Sequence, residues 1–181
     1  MKGAGVLNTA NKLTILRLLM IPAILAVLYI GFHGSNFVAM GIFIIAGITD
    51  IADGYIARTY GQVTDFGKFM DPLADKILVF SVMLWFVQQG SIPAWVAIIV
   101  ITREFLVTGL RLIAIVNKRV VAAELSGKIK TTVTIVCLVI MFLPIEDWML
   151  FVLIGAILVT TVYSGIDYFI RNKDILKMEM K

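Results

Sequence analysis

The chain has 181 residues, of which 60% are hydrophobic and 15% charged, against about 25% charged in an average soluble domain; its net charge is +4. With a mean hydropathy of +0.98, this composition excludes a water-soluble globule and a disordered chain, and it has neither the glycine period of a collagen nor the cysteines of a disulfide framework. The one cysteine, Cys137, lies inside an apolar run, so no intramolecular disulfide can form.

A membrane-crossing helix needs about 20 mostly apolar residues. In chain order the apolar segments predict six such helices, over residues 12–31, 36–58, 71–89, 92–117, 127–144 and 147–170. Turn or breaker residues separate them: Gly31 to Ser35, the stretch 59–69, Gln88 to Ser91 before Pro93, Asn117 to Ser126, and Pro144 with Glu146 and Asp147. The first apolar run is long and lacks a small-residue cleavage site, so no cleavable signal is expected. The expected fold class is an all-α integral membrane protein, a bundle of six transmembrane helices in one domain over residues 1–181.

Positive residues are retained on the cytoplasmic side of membranes. Segments 31–36, 88–93 and 144–147 hold no Lys or Arg, whereas Lys2, Lys12 and Arg17, then Arg58 and Lys68, then Lys118, Arg119 and Lys128, and finally Arg171, Lys173, Lys177 and Lys181 mark the alternate ends. Both termini are therefore expected in the cytoplasm. The basic tail reads as an interfacial helix end near anionic headgroups rather than a nucleic-acid site. His33 falls in an outer loop and is given no role.

Ionisable side chains inside a bilayer are costly unless they meet a partner or a wet cavity, so each one within a span is a functional candidate. Asp50 and Asp53 close the second span, Asp71, Asp75 and Lys76 open the third, Arg103, Glu104 and Arg111 interrupt the fourth, and Lys128 and Lys130 open the fifth. All belong to the cytoplasmic half. Asp50 and Asp53 are three apart and Asp71 and Asp75 four apart, spacings that put each pair on one helix face. A short loop makes the second and third spans antiparallel neighbours, which would let the four carboxylates converge. Hard divalent cations such as magnesium or manganese relieve the repulsion. The competing reading is ion pairing with Lys76, Arg58 or Lys68, with Asp71 as an N-cap before Pro72.

The fourth and fifth spans carry cations. Arg103, Arg111, Lys128 and Lys130 are candidate donors to a phosphate group, which under the family resemblance drawn below would be that of an acceptor, with Glu104 as an orienting partner. Against this stand headgroup snorkelling for Lys128 and Lys130 and an internal ion pair for Arg103 with Glu104. A small ion or proton transporter would also carry buried charges, but its inverted repeats are not evident.

Asp50-Ile-Ala-Asp53-Gly54-Tyr-Ile-Ala57-Arg58, eight residues, Gly67, three residues, Asp71, three residues and Asp75 resembles the signature of the CDP-alcohol phosphotransferases, with all eight motif residues in place. The resemblance implies a six-helix membrane enzyme, usually a homodimer, with its site open to the cytoplasm. It implies that Asp50, Asp53, Asp71 and Asp75 hold two divalent cations, Mg or Mn, and that Asp75 also acts as general base. It further implies that Gly54, Ala57, Arg58 and Gly67 receive the cytidine diphosphate of CDP-diacylglycerol.

Three further segments, Asn11 to Arg17 with Pro22, Arg103 to Arg111, and Ser126 to Thr132, resemble bacterial members whose acceptor is sn-glycerol 3-phosphate. The implied product is phosphatidylglycerophosphate, with CMP released, at the inner membrane of a bacterial cell. Inositol phosphate or another alcohol is the alternative acceptor. Asn11, Thr14 and Arg17, spaced three apart, form a candidate polar strip beside the nucleotide, with capping and interfacial anchoring as the competing reading.

Overall fold

The computed structural model describes the backbone of residues 9–59, 65–116 and 124–173, and the side chains of residues 13–49, 70–114 and 124–173. Among these residues the structure is all-helical, with α1 (Thr9–Ile30), α2 (Ser35–Thr59), α3 (Asp65–Gln88), α4 (Ala94–Val116), α5 (Leu125–Met141) and α6 (Asp147–Arg171).

The helix ends follow the breaker residues. Gly31 and Gly34, at φ 66 and 89, turn the chain from α1 into α2. Gly90, at φ 76, closes α3: its N–H meets the Val87 carbonyl at 3.0 Å and the Ser91 N–H meets that of Phe86 at 2.9 Å, a paired closure that satisfies the last carbonyls. α5 stops three residues short of its expected end. Phe142 and Leu143 bond back only to Val139 and Ile140, because the residue before Pro144 is disfavoured in helical geometry.

The largest departure is α3, which starts at Asp65 rather than 71. Pro72 lies inside it, so the proline removes one backbone hydrogen bond instead of opening the helix, and Asp71 is an interior residue rather than an N-cap. The expected break through residue 69 is thus shorter, ending before Asp65. Pro22 lies inside α1 in the same way.

The chain divides into two compact units, Met1–Trp85 and Phe86–Lys181. In the first, α1 buries Thr14, Arg17, Ile21, Ile24 and Leu28 at alternating steps of three and four, a single helical stripe. It packs on α2, whose Ala39 and Ala46 flank Phe43 and allow close approach. Tyr29 meets Trp85 edge to face, with ring centroids 4.9 Å apart. In the second unit α6 packs against both α4 and α5, and Phe86 meets Phe142 at 5.0 Å.

Polarity is inverted relative to a water-soluble fold. Arg17 is 0% exposed and Lys130 4%, while Phe151 is 79% and Ile30 73% exposed. Such a surface suits hydrocarbon, and the protein reads as a membrane protein. α1 over Leu13–Ile30 and α6 over Asp147–Arg171 are long and apolar enough to cross a bilayer. α5 is short, at 17 residues, and α4 is interrupted by Arg103, Glu104 and Arg111.

Candidate active site

α3 presents Asp71 and Asp75 one turn apart, so their carboxylates share a helix face. α1 answers with the same step: the Thr14 hydroxyl donates to Asp71 Oδ1 at 2.5 Å and Arg17 Nη1 donates to Asp75 Oδ1 at 2.8 Å. The charge of Arg17 lies wholly inside the protein, whereas Asp75 keeps 39% of its side chain open. With the Thr14 bond one turn away, this pair ties α1 to α3 at two successive turns. Thr14 and Arg17 are thus neither caps nor interfacial anchors; they are fastened to two of the four motif acids.

Asp50 and Asp53 belong to the backbone of α2, but their side chains, with those of Asn11, Gly54, Ala57, Arg58 and Gly67, lie outside the described residues. Among the described residues no group of three or more His, Cys, Asp or Glu gathers. The donors on α3 are nonetheless of the right chemistry: carboxylate oxygens at one-turn spacing are hard ligands, which fit a divalent cation such as Mg or Mn and not a soft metal.

The second unit holds a cluster of the opposite balance. Glu104 Oε1 accepts from both Arg103 Nη1, at 2.8 Å, and Lys130 Nζ, at 2.5 Å. All three side chains are nearly enclosed, between 6% and 13% exposed. Two cations thus meet on one carboxylate oxygen. Lys130 does not snorkel. The internal ion pair foreseen for Arg103 and Glu104 exists, but Lys130 enlarges it into something more than a neutral pair.

The other two candidate cations, Arg111 and Lys128, are exposed. Arg111 is exposed, with its guanidinium carbon 5.7 Å from the centre of the Tyr168 ring, a stacking that steadies its direction. Lys128 is exposed on α5, two residues and so about 200° around the helix from the buried Lys130. Thr108 bonds its hydroxyl to the Glu104 carbonyl at 2.7 Å, within α4.

The structure also adds residues that the sequence reading passed over. Asp167, inside an apolar segment, accepts from the Ser126 hydroxyl and from Arg171 Nε, each at 2.6 Å, tying the first turn of α5 to the last of α6. Tyr168, buried between Val107 and Leu110, was equally unremarked. An acid within a hydrophobic run was the available signal for Asp167; a tyrosine gives none.

With the acids of α3 gripped by α1 and a buried positive cluster on α4 and α5, comparison with known proteins becomes decisive. Residues 7–163 match the model of the CDP-alcohol phosphatidyltransferase family. The chain belongs to that family. It is therefore a transferase, of a family generally dependent on divalent cations. Among similar proteins, a "probable phosphatidylglycerophosphate synthase" of Mycobacterium tuberculosis is 42% identical over 174 residues, covering 93% of this chain and 83% of its own length. A CDP-diacylglycerol–glycerol-3-phosphate 3-phosphatidyltransferase of Bacillus subtilis is 38% identical over 192 residues, covering 94% and 97%. One of the same name from Haemophilus influenzae is 34% identical over 171 residues, covering 89% and 91%. The CDP-alcohol phosphatidyltransferase match spans both compact units, so α1 with its Thr14 and Arg17 and α4 with its Arg103 both fall within the family region.

Proposed function

We propose that the protein transfers the phosphatidyl group of CDP-diacylglycerol to sn-glycerol 3-phosphate, giving phosphatidylglycerophosphate and CMP. The observation that carries the acceptor assignment is the Arg103–Glu104–Lys130 cluster. A neutral alcohol needs hydroxyl partners, whereas a phosphorylated one needs cationic donors, and Arg103 and Lys130 gather two of them at one place. The names of the relatives support the same acceptor.

In this reading Asp50, Asp53, Asp71 and Asp75 hold two divalent cations, Mg or Mn, which when bound neutralise charge on the diphosphate and on the departing phosphate. The acceptor hydroxyl oxygen forms a bond to the β-phosphorus of CDP-diacylglycerol, and the bond from that phosphorus to the bridging oxygen breaks, its electron pair leaving with CMP. Asp75 takes the hydroxyl proton. Arg17 fixes the direction of the Asp75 carboxylate through Oδ1, and Thr14 does the same for Asp71. Gly54, Ala57, Arg58 and Gly67, with Asn11, line the nucleotide side. Arg103 and Lys130 bind the acceptor phosphate, with Arg111 and Lys128 at its approach.

The rest of the architecture follows the same proposal. All six helices cross the cytoplasmic membrane of a bacterial cell as one catalytic domain. Both termini and the site face the cytoplasm, and the protein works as a homodimer. Purified protein in detergent, given CDP-diacylglycerol and in turn glycerol 3-phosphate, inositol phosphate and inositol, should release CMP with glycerol 3-phosphate only. Equal release with inositol phosphate would replace the acceptor assignment.

A further inference from the structure

The Arg103 side chain lies against a glycine on each of two other helices. Its Cγ lies where a Cβ on Gly165 of α6 would come to 3.3 Å, and its Nη2 lies 3.5 Å from where a Cβ on Gly127 of α5 would stand. Between these ends Nη1 is held on Glu104, while Nε is buried without a hydrogen-bond partner. The two glycines have helical backbones with no positive φ, so conformational freedom does not account for them. What they supply is room.

From this we infer that Gly165, with Gly127 on the opposite side, is a positioning residue for acceptor binding: the missing side chain on α6 forms the passage that lets the Arg103 guanidinium extend toward α5 and face the acceptor phosphate. The inference rests on the reading of Arg103 as a phosphate-binding residue. It makes α6, which carries none of the motif acids, a determinant of affinity for the phosphorylated substrate. A methyl group at 165 meets the stem of the arginine, next to the α4 backbone where the side chain has least freedom to yield. A methyl at 127 meets the far end of a flexible chain at ordinary contact distance, so its effect is smaller.

The test is a set of four variants assayed by CMP release, each also checked by size exclusion and thermal unfolding in detergent. Gly165→Ala should raise KM for glycerol 3-phosphate about tenfold, the scale of a weakened charge-assisted hydrogen bond, with KM for CDP-diacylglycerol within about twofold. Gly127→Ala should raise it by about threefold or less on the same scale. Arg103→Ala should raise it further. In the Arg103→Ala background, adding Gly165→Ala should change nothing, because the methyl then has no arginine to displace.

A general packing defect would instead persist in the double variant, and that outcome, or an unchanged KM in Gly165→Ala, overturns the inference. If Gly165→Ala alone does not fold, recovery of folding in the double variant supports the clash with Arg103, and failure of both overturns it. Should Arg103→Ala leave KM for glycerol 3-phosphate unchanged, the assignment of Arg103 itself fails, an outcome distinct from failure of the Gly165 argument alone.

Discussion

Two charged trios, one in each compact unit, are built from similar parts in opposite proportion. In the first, Arg17 meets Asp75 one turn from Asp71, two acids beside one cation; in the second, Arg103 and Lys130 meet on Glu104, two cations beside one acid. Each has a buried guanidinium as its anchor. In the proposed function the acids on α3 serve cations and the nearly enclosed cationic cluster serves an anion.

That contrast can be broken from either side. The largest effect should come from stripping divalent cations: chelation should abolish CMP release, and either Mg or Mn should restore it. Full turnover after chelation would remove the role of the acids altogether. Next, Asp75→Asn should lower kcat by about 10²- to 10⁴-fold, the usual worth of a positioned general base, with the protein still folded by circular dichroism. If kcat stays within a fewfold, Asp75 serves only as a partner for Arg17.

On the positive side, Lys130→Met should raise KM for glycerol 3-phosphate by about 10- to 100-fold while leaving KM for CDP-diacylglycerol little changed. A parallel rise in both would mean that the cluster is structural rather than an acceptor pocket. Glu104→Ala should differ in kind, because it leaves two nearly enclosed cations without their shared carboxylate; a loss of about 3–5 kcal/mol is the usual scale for such a break, readable as a lower thermal midpoint in detergent. The smallest effect belongs to Arg171→Ala. Its ion pair with Asp167 is on an exposed side chain, 60% open, so turnover and unfolding temperature should both remain near those of the parent protein.

Much of the architecture is legible from the sequence because the bilayer imposes a coarse rule on it. Apolar length and breaker residues foretell the number and order of the helices, and Gly31, Gly34 and Gly90 mark turns where a positive φ is needed. The α3 boundary is misjudged because Pro72 is compatible with either a start or an interior position, and local propensity does not choose between them. The α3 acids are equally legible, since i,i+4 spacing survives wherever the helix begins.

The pairing of charges is another matter. Spacing puts Asp71 beside Asp75, and composition exposes the scarcity of ionic groups in an apolar chain; these are properties of one helix and can be counted along it. That Arg17 lies on Asp75, that Lys130 and not Lys128 reaches Glu104, and that Gly127 and Gly165 clear a path for Arg103 depend on which faces of separate helices meet. Sequence alone determined which charges the membrane would have to tolerate, whereas tertiary packing decided which of them neutralise one another and which remain available to substrate, because a buried charge is stabilised by partners brought to it across helices and not by its neighbours along the chain.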